Sequence, residues 1–279
     1  MRLRLYHHQD GARVAYRESG AGPAIVLLHS LGLTHREFEP VVEALSARFR
    51  VILPDLPLHG DSEDRPRHPY TPQWMVEVLS GFCAEVGGPR AALVGHDLGA
   101  ELALGAVLAG TLAPRRLVLL PNRMHGRDQR PGLRLAWAGV TGLGTVPGVD
   151  LALSHAVRLA ARPRVADRLS HQRNPAARDL MRHAFGDLAG DSSRMRAWAK
   201  FARHWPRGAQ RELLGRYPSL QLPVLLLWAE EDPLAPLQVA REALDLIPGA
   251  QLRTIADAGF LVAYDDPVAL ARELIWFCD

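Results

Sequence analysis

Gly95-His96-Asp97-Leu98-Gly99 is the stretch that decides the fold. It follows the apolar run Ala91 to Val94 and opens the alanine- and leucine-rich stretch Ala100 to Ala109. Strand, sharp turn and helix in that order are the context of a turn that lifts its central side chain out of a sheet. The spacing is that of a nucleophile elbow, with the carboxylate of Asp97 where a serine hydroxyl more often stands. The chemistry expected is therefore alkyl or proton transfer and not ordinary ester hydrolysis. An aspartate here could also cap the following helix, for which its side chain is well suited.

Outward from the turn, strand and helix patterns alternate. The first thirty residues predict strands at Leu3 to His8, Arg13 to Glu18 and Ala24 to His29, separated by Asp10-Gly11 and Gly20-Ala21-Gly22-Pro23. They read as a hairpin leading into a sheet. Then come a helix at Glu37 to Ala47, a strand at Arg50 to Pro54, a helix at Thr71 to Val86 and a strand at Arg116 to Leu120. Uninterrupted apolar strands between helices predict an α/β fold with a mostly parallel, doubly wound sheet buried on both faces. Between Asn122 and Arg216 helical runs, such as Leu151 to Ala161 and Ala176 to His183, are broken by Gly and Pro, and no strong strand occurs. The alternation resumes with Val224 to Trp228, Leu237 to Leu246, Gln251 to Ile255 and Pro267 to Phe277. The expectation is a core of residues 1–121 and 217–279 with a helical cap inserted at 122–216.

The chain has 279 residues, is 48% hydrophobic and carries a net charge of +3. It contains no apolar run long enough to span a bilayer and no signal-peptide core at its N-terminus, so a cytoplasmic protein without membrane contact is expected. Cys83 and Cys278 have neither the number nor the spacing of a disulfide framework or a zinc site. Lys200 is the single lysine. The stretch from Asn122 to Arg216 holds seventeen Arg and one Lys against six Asp and one Glu, a surplus of eleven positive charges. That surplus is either a solvated basic face or a basic lid that attracts an anionic substrate or an acidic carrier partner. No aromatic-interleaved basic stripe accompanies it, so no nucleic-acid partner is expected.

Four motifs occur in order: Val26-Leu27-Leu28-His29-Ser30-Leu31-Gly32, Asp55-Leu56-Pro57-Leu58-His59-Gly60-Asp61-Ser62, the Gly95–Gly99 turn, and Leu227-Trp228-Ala229-Glu230-Glu231-Asp232-Pro233. Together they resemble the α/β-hydrolases, in the branch that holds epoxide hydrolases and haloalkane dehalogenases, and the resemblance covers essentially the whole chain. It implies that Asp97 attacks an sp³ carbon to form an alkyl-enzyme ester. It implies an oxyanion hole of the Leu31 and Leu98 amides. It also makes Asp232 the acid that orients a catalytic histidine. Ser30 replaces the glycine usual in its loop and either restricts the backbone or adds a hydroxyl. His29 and His59 fall at positions that support loop packing.

The chain departs from that pattern at the base. Where such enzymes present their histidine it reads Asp257-Ala258-Gly259-Phe260. Phenylalanine cannot activate the water that cleaves an alkyl-enzyme ester, a step in which general-base catalysis is worth roughly 10²–10⁴-fold. Three readings follow. Asp97 acts as general acid/base, or as nucleophile, in cofactor-free and non-hydrolytic epoxide opening, cyclisation or isomerisation, as in bacterial secondary metabolism. Alternatively a cap histidine among His125, His155, His171, His183 and His204 restores hydrolysis, or the chain binds without reacting. Ser30, His96, Trp137, Tyr217 and Phe260 are expected to line a pocket for a small molecule, aromatic or anionic in character. Trp74, Trp198 and Trp205 either add to that lining or glue helices. No metal or organic cofactor is expected, and no nucleotide-binding glycine loop is present.

Overall fold

The computed structural model describes residues 1–65, 67–126, 163–188, 192–205 and 209–279. Eight strands form one sheet: β1 (Arg2–His7), β2 (Arg13–Ser19), β3 (Ala24–Leu28), β4 (Arg50–Pro54), β5 (Ala92–Gly95), β6 (Arg116–Leu119), β7 (Val224–Ala229) and β8 (Gln251–Ile255). Their spatial order is β1-β2-β4-β3-β5-β6-β7-β8. From β4 to β8 every pairing is parallel, while β1–β2 and β2–β4 are antiparallel. The expected hairpin is present, but it joins β4, with Tyr16 opposite Pro54 and Ser19 opposite Val51, and not the strand that follows it in sequence. Strand β3 instead inserts between β4 and β5.

The apolar runs are buried on both faces because successive side chains point to opposite sides. Ile25, Leu27, Ala92, Val94, Leu225 and Leu227 join one core, with Val41 and Leu45 of α1 (Glu39–Ser46) and Leu270, Leu274 and Phe277 of α9 (Pro267–Cys278). Val26, Leu28, Leu93, Leu117, Leu226 and Trp228 join the other, with Met75 and Val78 of α2 (Pro72–Phe82), Leu102 of α3 (Leu98–Leu108) and Ala240 of α7 (Leu237–Leu244). This alternation is what a doubly wound sheet requires. Helix α2 starts where Thr71 accepts the Trp74 amide and Pro72 takes the first turn. It is shorter than its sequence pattern predicts, since Cys83–Gly87 winds as a π-turn before Gly88 at φ 82°.

Between β6 and β7 the described residues form helices α4 (Pro163–Leu169), α5 (Pro175–Leu188) and α6 (Ser192–His204) and no strand. The predicted helix at Leu151 to Ala161 lies outside the described residues, as does Trp137. Among the described residues no helix is long and apolar enough to cross a membrane.

Candidate active site

The site lies where the parallel strands end, the edge at which open α/β sheets bind ligands. Strand β5 ends at Gly95, and the chain reverses into α3 within two residues. The reversal needs two glycines. A Cβ on Gly95 would meet the Ala100 backbone nitrogen at 2.5 Å, and one on Gly99 the Leu28 carbonyl oxygen at 2.3 Å. Between them Asp97 sits at φ 46° and ψ −109°, a strained conformation for a residue with a side chain. Its neighbours over-determine it: the His96 amide donates to Leu28 O, Asp97 N to Pro121 O, and Gly99 N to His29 O, all at about 3 Å.

Asp97 stands at the N-cap position of α3 but makes no side-chain capping hydrogen bond. Its Oδ2 instead accepts from the Leu31 amide at 3.1 Å. One expected oxyanion donor is thus aimed at the carboxylate. The other, Leu98 N, belongs to the first turn of α3, where amides have no acceptor within their helix. Asp97 is 7% exposed.

Behind Asp97 lies a polar cluster in a buried setting. His96 Nδ1 donates to Glu37 Oε1, and Ser30 Oγ, 2.9 Å from the same ring nitrogen, donates to Glu37 Oε1 at 2.8 Å. Ser30 N donates to Glu37 Oε2 at 2.7 Å. The serine that replaces a loop glycine therefore serves through its hydroxyl. Burial disfavours a charged His96, yet the Glu37 carboxylate and its hydrogen bond, with Asp232 and Asp97 beyond, hold the imidazole pKa above its ordinary value. Burial likewise works against ionised Glu37, and the His96 charge with the hydrogen bonds from His96 and Ser30 outweighs it, so that carboxyl is held low. His96 was expected at a pocket wall; it is fully buried.

Asp232 follows β7. Its Oδ1 accepts from Leu234 N at 2.6 Å and Ala235 N at 3.1 Å, while Oδ2 is buried and has no hydrogen-bond partner among the described residues. The residue as a whole is partly exposed, but its carboxyl is buried, and burial pushes the pKa up to about 6. The two loop amides and His96 pull it down, and Asp97 pushes it further up. Asp232, His96 and Asp97 are thus in electrical contact.

Phe260 follows β8 and closes the fourth side. Its ring packs on His96, centroids 4.5 Å apart, and joins Leu33, Leu261 and the α5 residues Ala177, Leu180, Met181 and Ala184 in a separate apolar cluster. Its loop is latched from beyond: Asp265, in the short helix α8 (Val262–Asp265), accepts from Gly259 N, His171 N, Gln172 N and Ser170 Oγ.

The remaining expected residues lie in supporting roles. Tyr217 is fully buried in the core, its hydroxyl 3.3 Å from His125 Nδ1, and His125 Nε2 meets Glu242 at 2.9 Å. His204 is exposed, with Nδ1 on Lys200 O, and His155 lies outside the described residues. His29 bridges Ser30 O and Leu56 N, and burial holds its ring neutral. His59 packs edge-on between His29 and Trp198, each centroid 4.9 Å away. Trp205 donates to Glu101 and stacks on Phe201; Trp74 donates to Asp10 and stacks on His68. Among the described residues no group of three or more His, Cys, Asp or Glu side chains converges as metal ligands would. Glu37 is the functional candidate that the sequence reading missed. Its signal was legible: Glu37, Val41 and Leu45 recur at four-residue spacing, which puts a carboxylate on the apolar face of a helical stretch.

Residues 23–267 match the model of the α/β hydrolase fold. The chain is 30% identical over 255 residues to the magnesium-chelatase 30 kDa subunit of Rhodobacter capsulatus, covering 86% of this chain and 81% of that one. To the soluble epoxide hydrolase of Corynebacterium sp. it is 33% identical over 136 residues, 48% of this chain and 45% of that one. The crystal structure of an α/β hydrolase fold protein from Burkholderia ambifaria superposes with a TM-score of 0.82 at 20% identity, over 98% of this chain and 96% of that one. With its sheet order, its elbow at the end of β5 and a family match over nearly its whole length, the chain belongs to the α/β-hydrolase fold family.

Proposed function

We propose that the chain is a cofactor-free enzyme acting on a small organic molecule, with Asp97 as its reacting carboxylate and a non-hydrolytic outcome such as opening of an epoxide by an internal nucleophile, cyclisation or isomerisation. One observation carries this reading. Asp97 is held out of the sheet by a strained elbow, takes no part in helix capping and accepts from the Leu31 amide, while the ring of Phe260 packs on the neighbouring His96.

Asp232 supplies the complementary half. Its Oδ1 is occupied by two amides, so a proton on this carboxyl resides on Oδ2, and burial raises its pKa to about 6, which keeps a protonated fraction available in weakly acidic solution. In the reaction an epoxide C–O bond breaks, its oxygen takes the Asp232 proton, and an internal hydroxyl closes on the carbon. Asp97 accepts the proton that this hydroxyl releases. The product is an isomer of the substrate, and water is not consumed. The likeness to an epoxide hydrolase supports the substrate class, and Phe260 supports the divergence in outcome.

The test is incubation of wild type, Asp97→Asn and Phe260→His with terminal epoxides, with and without an internal hydroxyl, in heavy-oxygen water. Wild type is expected to give isomeric product or an alkylated protein, Asp97→Asn neither, and Phe260→His labelled diol. Catalytic release of labelled diol by wild type, or the same isomer from Asp97→Asn, rules the reading out.

A further inference from the structure

Two buried polar atoms, His96 Nε2 and Asp232 Oδ2, have no hydrogen-bond partner among the described residues. They come from different strand ends, β5 and β7, and each is electrically coupled to the other and to Asp97. A buried polar atom left unpaired costs about 1–3 kcal/mol, so such atoms persist in a fold for a reason. Among the described residues the other contacts of the His96 ring are with Glu37, Ser30 and Phe260. Glu37, ahead of α1, and Ser30, after β3, grip Nδ1, and Phe260, after β8, covers the ring. His29 bonds Ser30 O and Leu56 N, and burial pushes its pKa down.

The grip has a chemical direction. With Nδ1 donating to a carboxylate, the imidazole is fixed in one orientation and is stabilised as a cation. A phenyl face 4.5 Å from its centre favours that cation further and keeps water from it. Glu37 sets one negative charge against the imidazolium, and the site holds two more carboxyl groups in Asp97 and Asp232.

We propose that His96, clamped by Glu37 and Ser30 and covered by Phe260, is the positioning residue of this site: from one residue before the reacting carboxylate it supplies the fixed positive charge that Phe260 cannot. It acts through Asp97 and Asp232. Two neighbouring carboxyl groups resist sharing negative charge, and a cation coupled to both offsets part of that repulsion. The inference rests on Asp97 as the reacting group and adds the device that governs it.

The experiment is a pH titration by magnetic resonance of protein carrying isotope-labelled histidine, with His96→Gln to assign the signal. Both ring nitrogens of His96 are expected to be protonated at neutral pH. The midpoint is expected to fall by about one pH unit in Asp232→Asn and in Asp97→Asn, and by more in Glu37→Gln. The pH profile of Asp97 alkylation by styrene oxide is expected to move with it. A neutral His96 ring at neutral pH overturns the inference, and so does a midpoint indifferent to both asparagine substitutions, which would leave Glu37–His96 a purely structural pair. Should Glu37→Gln fail to fold, the two asparagine variants still decide. Because the titration reads no reaction, it separates the two conclusions: an unreactive Asp97 sinks the proposed function alone, and a neutral His96 beside a reactive Asp97 sinks this inference alone.

Discussion

The loop after β5 and the loop after β8 face each other across the site, and they have been treated differently. The first keeps every backbone device needed to present a reactive side chain: two glycines where a Cβ would collide, a positive φ at Asp97, and an amide directed at its carboxylate. The second keeps its place in the fold but offers a ring that packs with α5 and His96. One end of the site is set by backbone geometry and the other by side-chain packing. Backbone geometry tolerates no substitution that packing cannot absorb, whereas a packed position changes identity at a cost set by volume and polarity alone.

The sharpest way to break the contrast is Gly99→Val. The new side chain must enter the Leu28 carbonyl, so loss of the folded state, by roughly 4–5 kcal/mol or more, is expected in chemical denaturation. A folded variant with intact stability would show that the elbow is plastic. Next comes Phe260→Ala, which empties a buried ring position between α5 and His96. A loss of about 3–5 kcal/mol is expected, with the elbow intact. A cost well under that would mean the loop collapses onto the gap and that Phe260 is less structural than its packing shows.

A third measurement uses pH. Asp232 binds its proton more tightly when folded, its pKa rising from 3.8 to about 6, so its contribution is fully present in acid and is lost as pH rises through that window, by up to about 3 kcal/mol. His96, raised above its ordinary value, acts in the same sense and loses its contribution as pH climbs through its folded pKa. The buried carboxylates Glu37 and Asp55, lowered by their histidine partners, do the reverse. Asp232→Asn should flatten the stability profile between about pH 4 and pH 6, and an unchanged profile would show that Oδ2 is effectively solvated. The smallest effect belongs to Asp265→Asn, which disturbs the donors gathered on one carboxylate. A loss of about 1–3 kcal/mol is expected, with faster amide exchange at Gly259 and His171 and none gained in the elbow.

The same contrast explains how much was legible in the sequence. Strands such as Ile25–Leu28 and Val224–Ala229 are short apolar runs bounded by turn residues, and their burial on both faces follows from that pattern. The elbow is contiguous, so its glycines and its aspartate are read together. The insertion of β3 between β4 and β5 was not legible, because strand order is set by crossover connections and not by any strand's own pattern. The π-turn at Cys83–Gly87 shortened a helix whose apolar periodicity continued without interruption. Glu37 was overlooked because its partner His96 lies 59 residues away, and a charge on an apolar helical face shows its meaning only when that partner is found.

Asp265 has a further consequence. Its carboxylate fastens Gly259, beside the ring that covers the site, to Ser170, His171 and Gln172 at the foot of α5. Any outward swing of that foot must either give up these hydrogen bonds or drag residue 260 with it. Placement of residue 260 and placement of the segment before α5 are then a single mechanical degree of freedom. A histidine engineered at position 260 would inherit that coupling.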